Sequence, residues 1–204
     1  MVSIDILLGK LLRMGFGGIM YSLIESYLLD RNQYVKLQET SSEWLSSAYG
    51  VPQGSVLGPL LYSLYVLNLK LANLDARYFT FADDTVLLYT GTDEITLNHR
   101  VNNDLGAYLE WLFSNKLKIN IEKTKYIVFK QKNKIINELY ININGVSIEK
   151  VMCIKYLGLI VDENLNWSPH ITKISEKIVS MLSALYKSRD YLSIKSKFQV
   201  YNAF

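Results

Sequence analysis

Apolar positions in the first thirty residues recur at helical spacing. Ile4, Leu7, Leu8, Leu11 and Leu12 share one face of a helix predicted over residues 4–14. Gly15, Gly17 and Gly18 interrupt it, and a second helix is predicted over residues 19–29. Residues 34–38 and 44–48 then read as two short strands around a polar turn. Ser55 can cap an apolar helix running to about Leu71, and residues 56–69 within it read as a buried helix. Residues 77–82 and 85–89 form the arms of a predicted hairpin pivoting on Asp83-Asp84. A helix over residues 97–115 follows, then strands at 126–129 and 140–143, then a hairpin over 151–161 bent at Leu157-Gly158. Ser168-Pro169 starts a last helix, a capping side chain with proline in the first turn. Its predicted core face is Ile171, Ile174, Ile178, Met181, Leu182 and Leu185. Hairpins with segregated helices define an α+β chain, not an alternating βαβ one.

Composition narrows the function classes. Half of the 204 residues are hydrophobic, enough for a sizeable core. Cys153 is the only cysteine, which excludes an internal disulfide. His99 and His170 have no ligand-like neighbours in sequence, so a zinc site is not expected. No signal peptide is recognised, and the apolar run at 56–69 is shorter than the ~20 residues of a membrane span. An intracellular protein with no membrane partner is therefore expected, in cytoplasm or nucleus.

The net charge of +3 conceals an asymmetry. Residues 1–110 carry 7 Lys+Arg against 12 Asp+Glu; residues 111–204 carry 15 against 7. The basic C-terminal half suits nucleic-acid phosphates, and equally suits a solvated lysine-rich surface.

Two segments carry candidate chemistry. In Phe79-Thr80-Phe81-Ala82-Asp83-Asp84-Thr85-Val86-Leu87-Leu88, two carboxylates stand between apolar strand-forming arms. Adjacent carboxylates repel, and Asp-Asp is a poor tight-turn pair, so the placement calls for a cation. Mg²⁺ takes a few carboxylates together with substrate phosphates. The bland alternative is an exposed acidic turn. In Gly50-Val51-Pro52-Gln53-Gly54-Ser55-Val56-Leu57-Gly58-Pro59-Leu60-Leu61-Tyr62, glycines allow close backbone approach ahead of a helix N-terminus. Alone, that segment also reads as a plain turn into a helix.

Together the two segments resemble reverse transcriptases of non-LTR retrotransposons. The resemblance continues through Trp111-Leu112, Asn115-Lys116-Leu117, Asn120, Lys123-Thr124-Lys125 and Phe129. It reaches Lys155-Tyr156-Leu157-Gly158 and then Asp162, Leu165 and Trp167. It implies a polymerase right-hand palm over residues 1–167, an antiparallel sheet with helices on one face, and the start of a helical thumb over 168–204. Asp83 and Asp84 would be catalytic metal ligands for Mg²⁺ or Mn²⁺. Pro52, Gln53 and Gly54 would line the pocket for nucleotide and template, with Lys123 or Lys125 near the phosphates. Tyr156, Leu157 and Gly158 would form the primer grip. Implied partners are an RNA template, a DNA primer and deoxynucleoside triphosphates.

One family block has no counterpart here: an upstream aspartate before a Lys-Ala-Phe-Asp-like segment. Asp5 resembles a residue of the helix after that block, not its metal ligand. The reading is therefore a polymerase fragment truncated at both ends, without fingers and inactive alone. The missing strand would leave a sheet edge and apolar surface open to self-association. A non-catalytic RNA- or DNA-binding remnant is the alternative.

Overall fold

The computed structural model describes residues 2–130 and 139–202. Met1, residues 131–138 and residues 203–204, which fall within the predicted palm and thumb segments, lie outside that description. The chain forms two compact units: Met1–Thr124 with Asn137–Ile148, and Lys125–Ile136 with Glu149–Phe204.

The first unit opens with α1 (Ile4–Arg13) and α2 (Gly18–Leu28). Ile4, Leu7, Leu8 and Leu11 of α1 are buried, as their i, i+3, i+4, i+7 spacing requires. Leu12 is not: it lies 52% exposed, at the margin of the face assigned to it. A ribbon follows, built from β1 (Asn32–Gln33), β2 (Lys36–Leu37), β3 (Thr40–Ser41) and β4 (Leu45–Ser46). β1 pairs with β4 and β2 with β3, both antiparallel, and every residue from 32 to 46 is exposed. The two predicted strands are thus broken into four by a kink at Tyr34-Val35, where Ser42 both donates to and accepts from Val35.

Next comes α3 (Leu57–Val66), continued by a 3₁₀ segment (Leu67–Ala72). Gly58, Leu61, Tyr65 and Leu69 are buried, whereas Val56, Leu60 and Leu67 face solvent. The expected buried helix is buried along one stripe only, although its composition is apolar all round. Leu7, Leu11, Leu28 and Tyr65, all inaccessible, form the centre of the α1–α2–α3 core. β5 (Arg77–Phe81) and β6 (Asp84–Leu88) form a hairpin, and α4 (Glu94–Ser114) follows. Tyr108, Trp111 and Leu112 of α4 close a second core on Leu69. β8 (Asn142–Ile143) and β9 (Val146–Ser147) make a small hairpin on α4, where the Asn102 side chain donates to Tyr140 O and accepts from Asn142 N–H.

The second unit holds β7 (Lys125–Tyr126) parallel to β10 (Glu149–Lys150), and the antiparallel pair β11 (Cys153–Tyr156) and β12 (Leu159–Asp162). α5 (Ser168–Lys187) packs on β12, and α6 (Ile194–Asn202) follows. No residue of α5 is buried; of the predicted core face Ile171, Ile174, Ile178 and Leu182 are 45–59% exposed and Met181 and Leu185 half-buried, so much of that apolar stripe is exposed. Ser168 does not cap this helix. Its own N–H donates to Asn166 Oδ1, and the residue before it, Trp167, takes φ 62°.

The α+β class stands, with short and mostly antiparallel pairings. Among the described residues the strands pair two at a time and do not join into one continuous sheet. No helix among the described residues is long and apolar enough to cross a membrane.

Candidate functional site

The β5–β6 register pairs Arg77 with Leu88 and closes at Phe81 opposite Asp84. The turn residues are therefore Ala82 and Asp83, one position earlier than the Asp83-Asp84 pivot expected from sequence. Ala82 takes φ 51°, a left-handed value usually left to glycine. This turn places Asp83 at the tip and Asp84 as the first residue of β6, both exposed. Phe79 and Phe81 are also more than half exposed, and neither outer edge of the hairpin is paired among the described residues.

Helix α4 holds the other end of this hairpin. Buried Asp104 accepts from Ala76 N–H at 2.8 Å, just ahead of β5. One turn earlier Arg100 forms an ion pair with Asp75 and donates to Thr90 O at 2.9 Å, just beyond β6. Tyr89 lies against the Asp104 carboxylate without hydrogen-bond geometry; burial and that charge push its pKa up.

The loop from Gly50 to Ser55 enters α3. Gly50 N–H donates to Val2 O at 2.8 Å, and Arg31 donates to Gly50 O at 2.8 Å. Ser55 Oγ donates to Pro52 O and accepts from Gly58 N–H at 3.0 Å, which realises the expected cap on the helix's first turn. A Cβ at Gly58 would stand 2.8 Å from Pro52 O, so the loop folds back against a backbone that only glycine permits. Pro52 is half-buried; Gln53 and Gly54 are exposed. Tyr62 lies further along α3, half-buried, and the nearby Asp83 carboxylate adds to burial in raising its pKa. The Asp83 charge is thus felt at one side chain of the loop-bearing helix. Tyr62 closes the second of the two sequence segments, but an aromatic in an apolar helix carries no mark of a charged neighbour, so its spacing assigns it no role.

Other motif residues are braces. Asn115, 4% exposed, ends α4: its Nδ2 donates to Trp111 O, its Oδ1 accepts from Lys10 Nζ, and its backbone oxygen accepts from Tyr65 Oη. Lys10 also donates to Tyr65 O and to Asn68 Oδ1 (2.7 Å), and burial draws its pKa down to about 8. Asn120 closes a turn by accepting from Lys123 N–H and Thr124 N–H. Lys123 is exposed at that turn, while Lys125 forms an ion pair with Glu149 in the second unit.

In the second unit Leu157 (φ 47°) and Gly158 (φ 88°) make a two-residue turn, with Tyr156 opposite Leu159. Both central residues have positive φ, the form that matches strand twist. Buried Asp162 accepts from the amides of Asn164, Asn166 and Trp167, the last at 2.9 Å, and so holds the left-handed backbone at Leu165 and Trp167.

A sequence model of the family "Reverse transcriptase (RNA-dependent DNA polymerase)" matches residues 1–161. The chain belongs to the reverse transcriptase family. It is 30% identical over 194 residues to the RNA-directed DNA polymerase from mobile element jockey of Drosophila melanogaster, covering 90% of this chain and 21% of that protein. It is 30% identical over 188 residues to the probable RNA-directed DNA polymerase from transposon X-element of the same fly, covering 89% and 20%. A retrovirus-related Pol polyprotein from type-1 retrotransposable element R1 of Bradysia coprophila is 30% identical over 138 residues, covering 67% and 14%. The likeness to non-LTR retrotransposon enzymes read from the motifs therefore stands. The chain spans about a fifth of the length of the first two of these relatives.

The donor set at the hairpin tip suits a divalent metal of one kind. Two exposed carboxylates leave most of a Mg²⁺ shell to water and phosphate oxygens. Among the described residues no group of three His, Cys, Asp or Glu side chains is gathered for a metal. The pair fits an ion that arrives with nucleotide phosphates and does not fit a self-sufficient cage.

Proposed function

We propose that this chain is the palm, with the start of the thumb, of an RNA-directed DNA polymerase of the non-LTR retrotransposon type. The observation that carries the reading is the Asp83-Asp84 tip of the β5–β6 hairpin, held from behind by α4. Asp83 and Asp84 hold Mg²⁺ or Mn²⁺, which would activate the primer hydroxyl and neutralise the leaving pyrophosphate. Pro52, Gln53 and Gly54 line the nucleotide and template side. Lys123 is the better phosphate partner, since Lys125 is engaged by Glu149. Tyr156, Leu157 and Gly158 hold the primer end. RNA template, DNA primer and deoxynucleoside triphosphates are the partners.

Activity of this chain alone is low on the same reading, because two carboxylates bind and place metal poorly and misplacement by ~1 Å costs about 10²-fold. The exposed Phe79, Phe81 and α5 stripe favour self-association. Primer extension on an RNA template with Mg²⁺ or Mn²⁺ tests the assignment. Any extension should vanish in Asp83→Ala, and extension that persists in that variant overturns the metal site.

A non-catalytic nucleic-acid-binding role has one observation in its favour: Lys173 and Lys177 stand on a wholly exposed turn of α5 in the basic half. It predicts salt-sensitive RNA or DNA binding that Asp83→Ala leaves unchanged.

A further inference from the structure

We infer that Arg31 is a positioning residue for the nucleotide-pocket loop, a role that rests on the reading of residues 50–55 as that loop. Arg31 lies between α2 and the exposed ribbon. Its Nε donates to Leu28 O at 3.1 Å, at the last turn of α2. Its Nη2 donates to Gly50 O at 2.8 Å and, at a longer 3.5 Å, to Tyr49 O. Its own carbonyl accepts from Ser47 N–H at 2.7 Å. One half-buried residue thus ties the ribbon's two stems together and fastens both to α2.

Arg31 pairs with no carboxylate among the described residues, so its charge is directed wholly at carbonyl oxygens. A planar guanidinium can serve a helix end and a loop at once, whereas an ammonium is a point donor on a flexible stem. Gly50 is held from both sides, its amide by Val2 and its carbonyl by Arg31. Pro52, Gln53 and Gly54 begin two residues later, and Ser55 with Gly58 fixes the far end. At the near end, the bond on the Gly50 carbonyl depends on a side chain 19 residues away. Without Arg31 the Gly50 amide keeps Val2 and the far anchor persists, but the Gly50 carbonyl loses its tie to α2 and the near end of the loop loosens.

Hydrogen exchange on the 204-residue chain, with parent, Arg31→Ala and Arg31→Lys, tests this. In Arg31→Ala, the hydrogen-bonded amides of Ser47 and Gly50, at the two ends of the segment that Arg31 ties down, should exchange about tenfold faster, while those of α1 and α4 hold their rates. Arg31→Lys should fall between. Unchanged exchange at Ser47 and Gly50, or an increase spread evenly over α1, α3 and α4, overturns the positioning role. Binding of Mg²⁺·dTTP supplies the second reading: Arg31→Ala should weaken it while Asp83 and Asp84 remain in place. Failure of the parent chain to bind Mg²⁺·dTTP counts against the nucleotide pocket itself, and the exchange result still decides whether Arg31 sets the loop.

Discussion

Asp104 of α4 accepts the Ala76 N–H at 2.8 Å, and both residues are buried. This bond fixes where β5 begins relative to α4, and hence where the acidic tip of the hairpin stands. Asp104→Ala leaves a buried amide without a partner, a loss of about 1–3 kcal/mol. Urea unfolding should show a lower midpoint, with exchange of the β5 amides accelerated ahead of those in α1. An unchanged midpoint would mean that α4 does not anchor the hairpin.

Lys10 makes stability depend on alkaline pH. Its ammonium faces Tyr65 O, Asn68 Oδ1 and Asn115 Oδ1, and burial lowers its pKa from 10.5 to about 8. Between these values the unfolded chain holds a proton that the folded chain has released. The cost of burying the charge is therefore fully present below pH 8 and is relieved as pH climbs to about 10.5. Urea midpoints measured on either side of that window should rise with pH for the parent more steeply than for Lys10→Met. Parallel slopes would contradict the assignment.

Gly58 is set by contact. An added Cβ would meet Pro52 O at 2.8 Å and Ser55 Oγ at 3.0 Å, and the backbone oxygen has no rotamer to escape into. Gly58→Ala should cost about 1–3 kcal/mol, as overpacking does. The same substitution at Gly106, where nothing lies within 4 Å, is the control and should be neutral or stabilising. Equal melting temperatures for the two variants would show that the loop does not lie against α3.

The site was legible in sequence where it rests on pattern and opaque where it rests on backbone partners. Apolar arms around Asp83-Asp84 give the hairpin, yet the turn falls at Ala82-Asp83, because its first position demands a positive φ that no side chain advertises. Periodicity marks the apolar stripe of α5 but says nothing about what covers it, so Ile174 and Ile178 were assigned to a core and lie exposed. Asp93, whose carboxylate accepts from Thr96 N–H, starts α4 three residues before the predicted helix. The bracing roles of Arg31, Lys10 and Asp104 are not legible in sequence: their partners are carbonyls, amides and carboxamides up to 105 positions away, which leave no trace in residue spacing.

The measurement that reaches the central claim most directly is Mn²⁺ binding in the presence and absence of dTTP, read by electron paramagnetic resonance on parent and Asp83→Asn. It does not depend on whether this chain can extend a primer. The account predicts Mn²⁺ uptake that needs the nucleotide and weakens at least about tenfold in Asp83→Asn, since even outer-shell losses cost 10–100-fold. Uptake that is equal in the two proteins would contradict the assignment of Asp83 and Asp84 as the metal-binding pair.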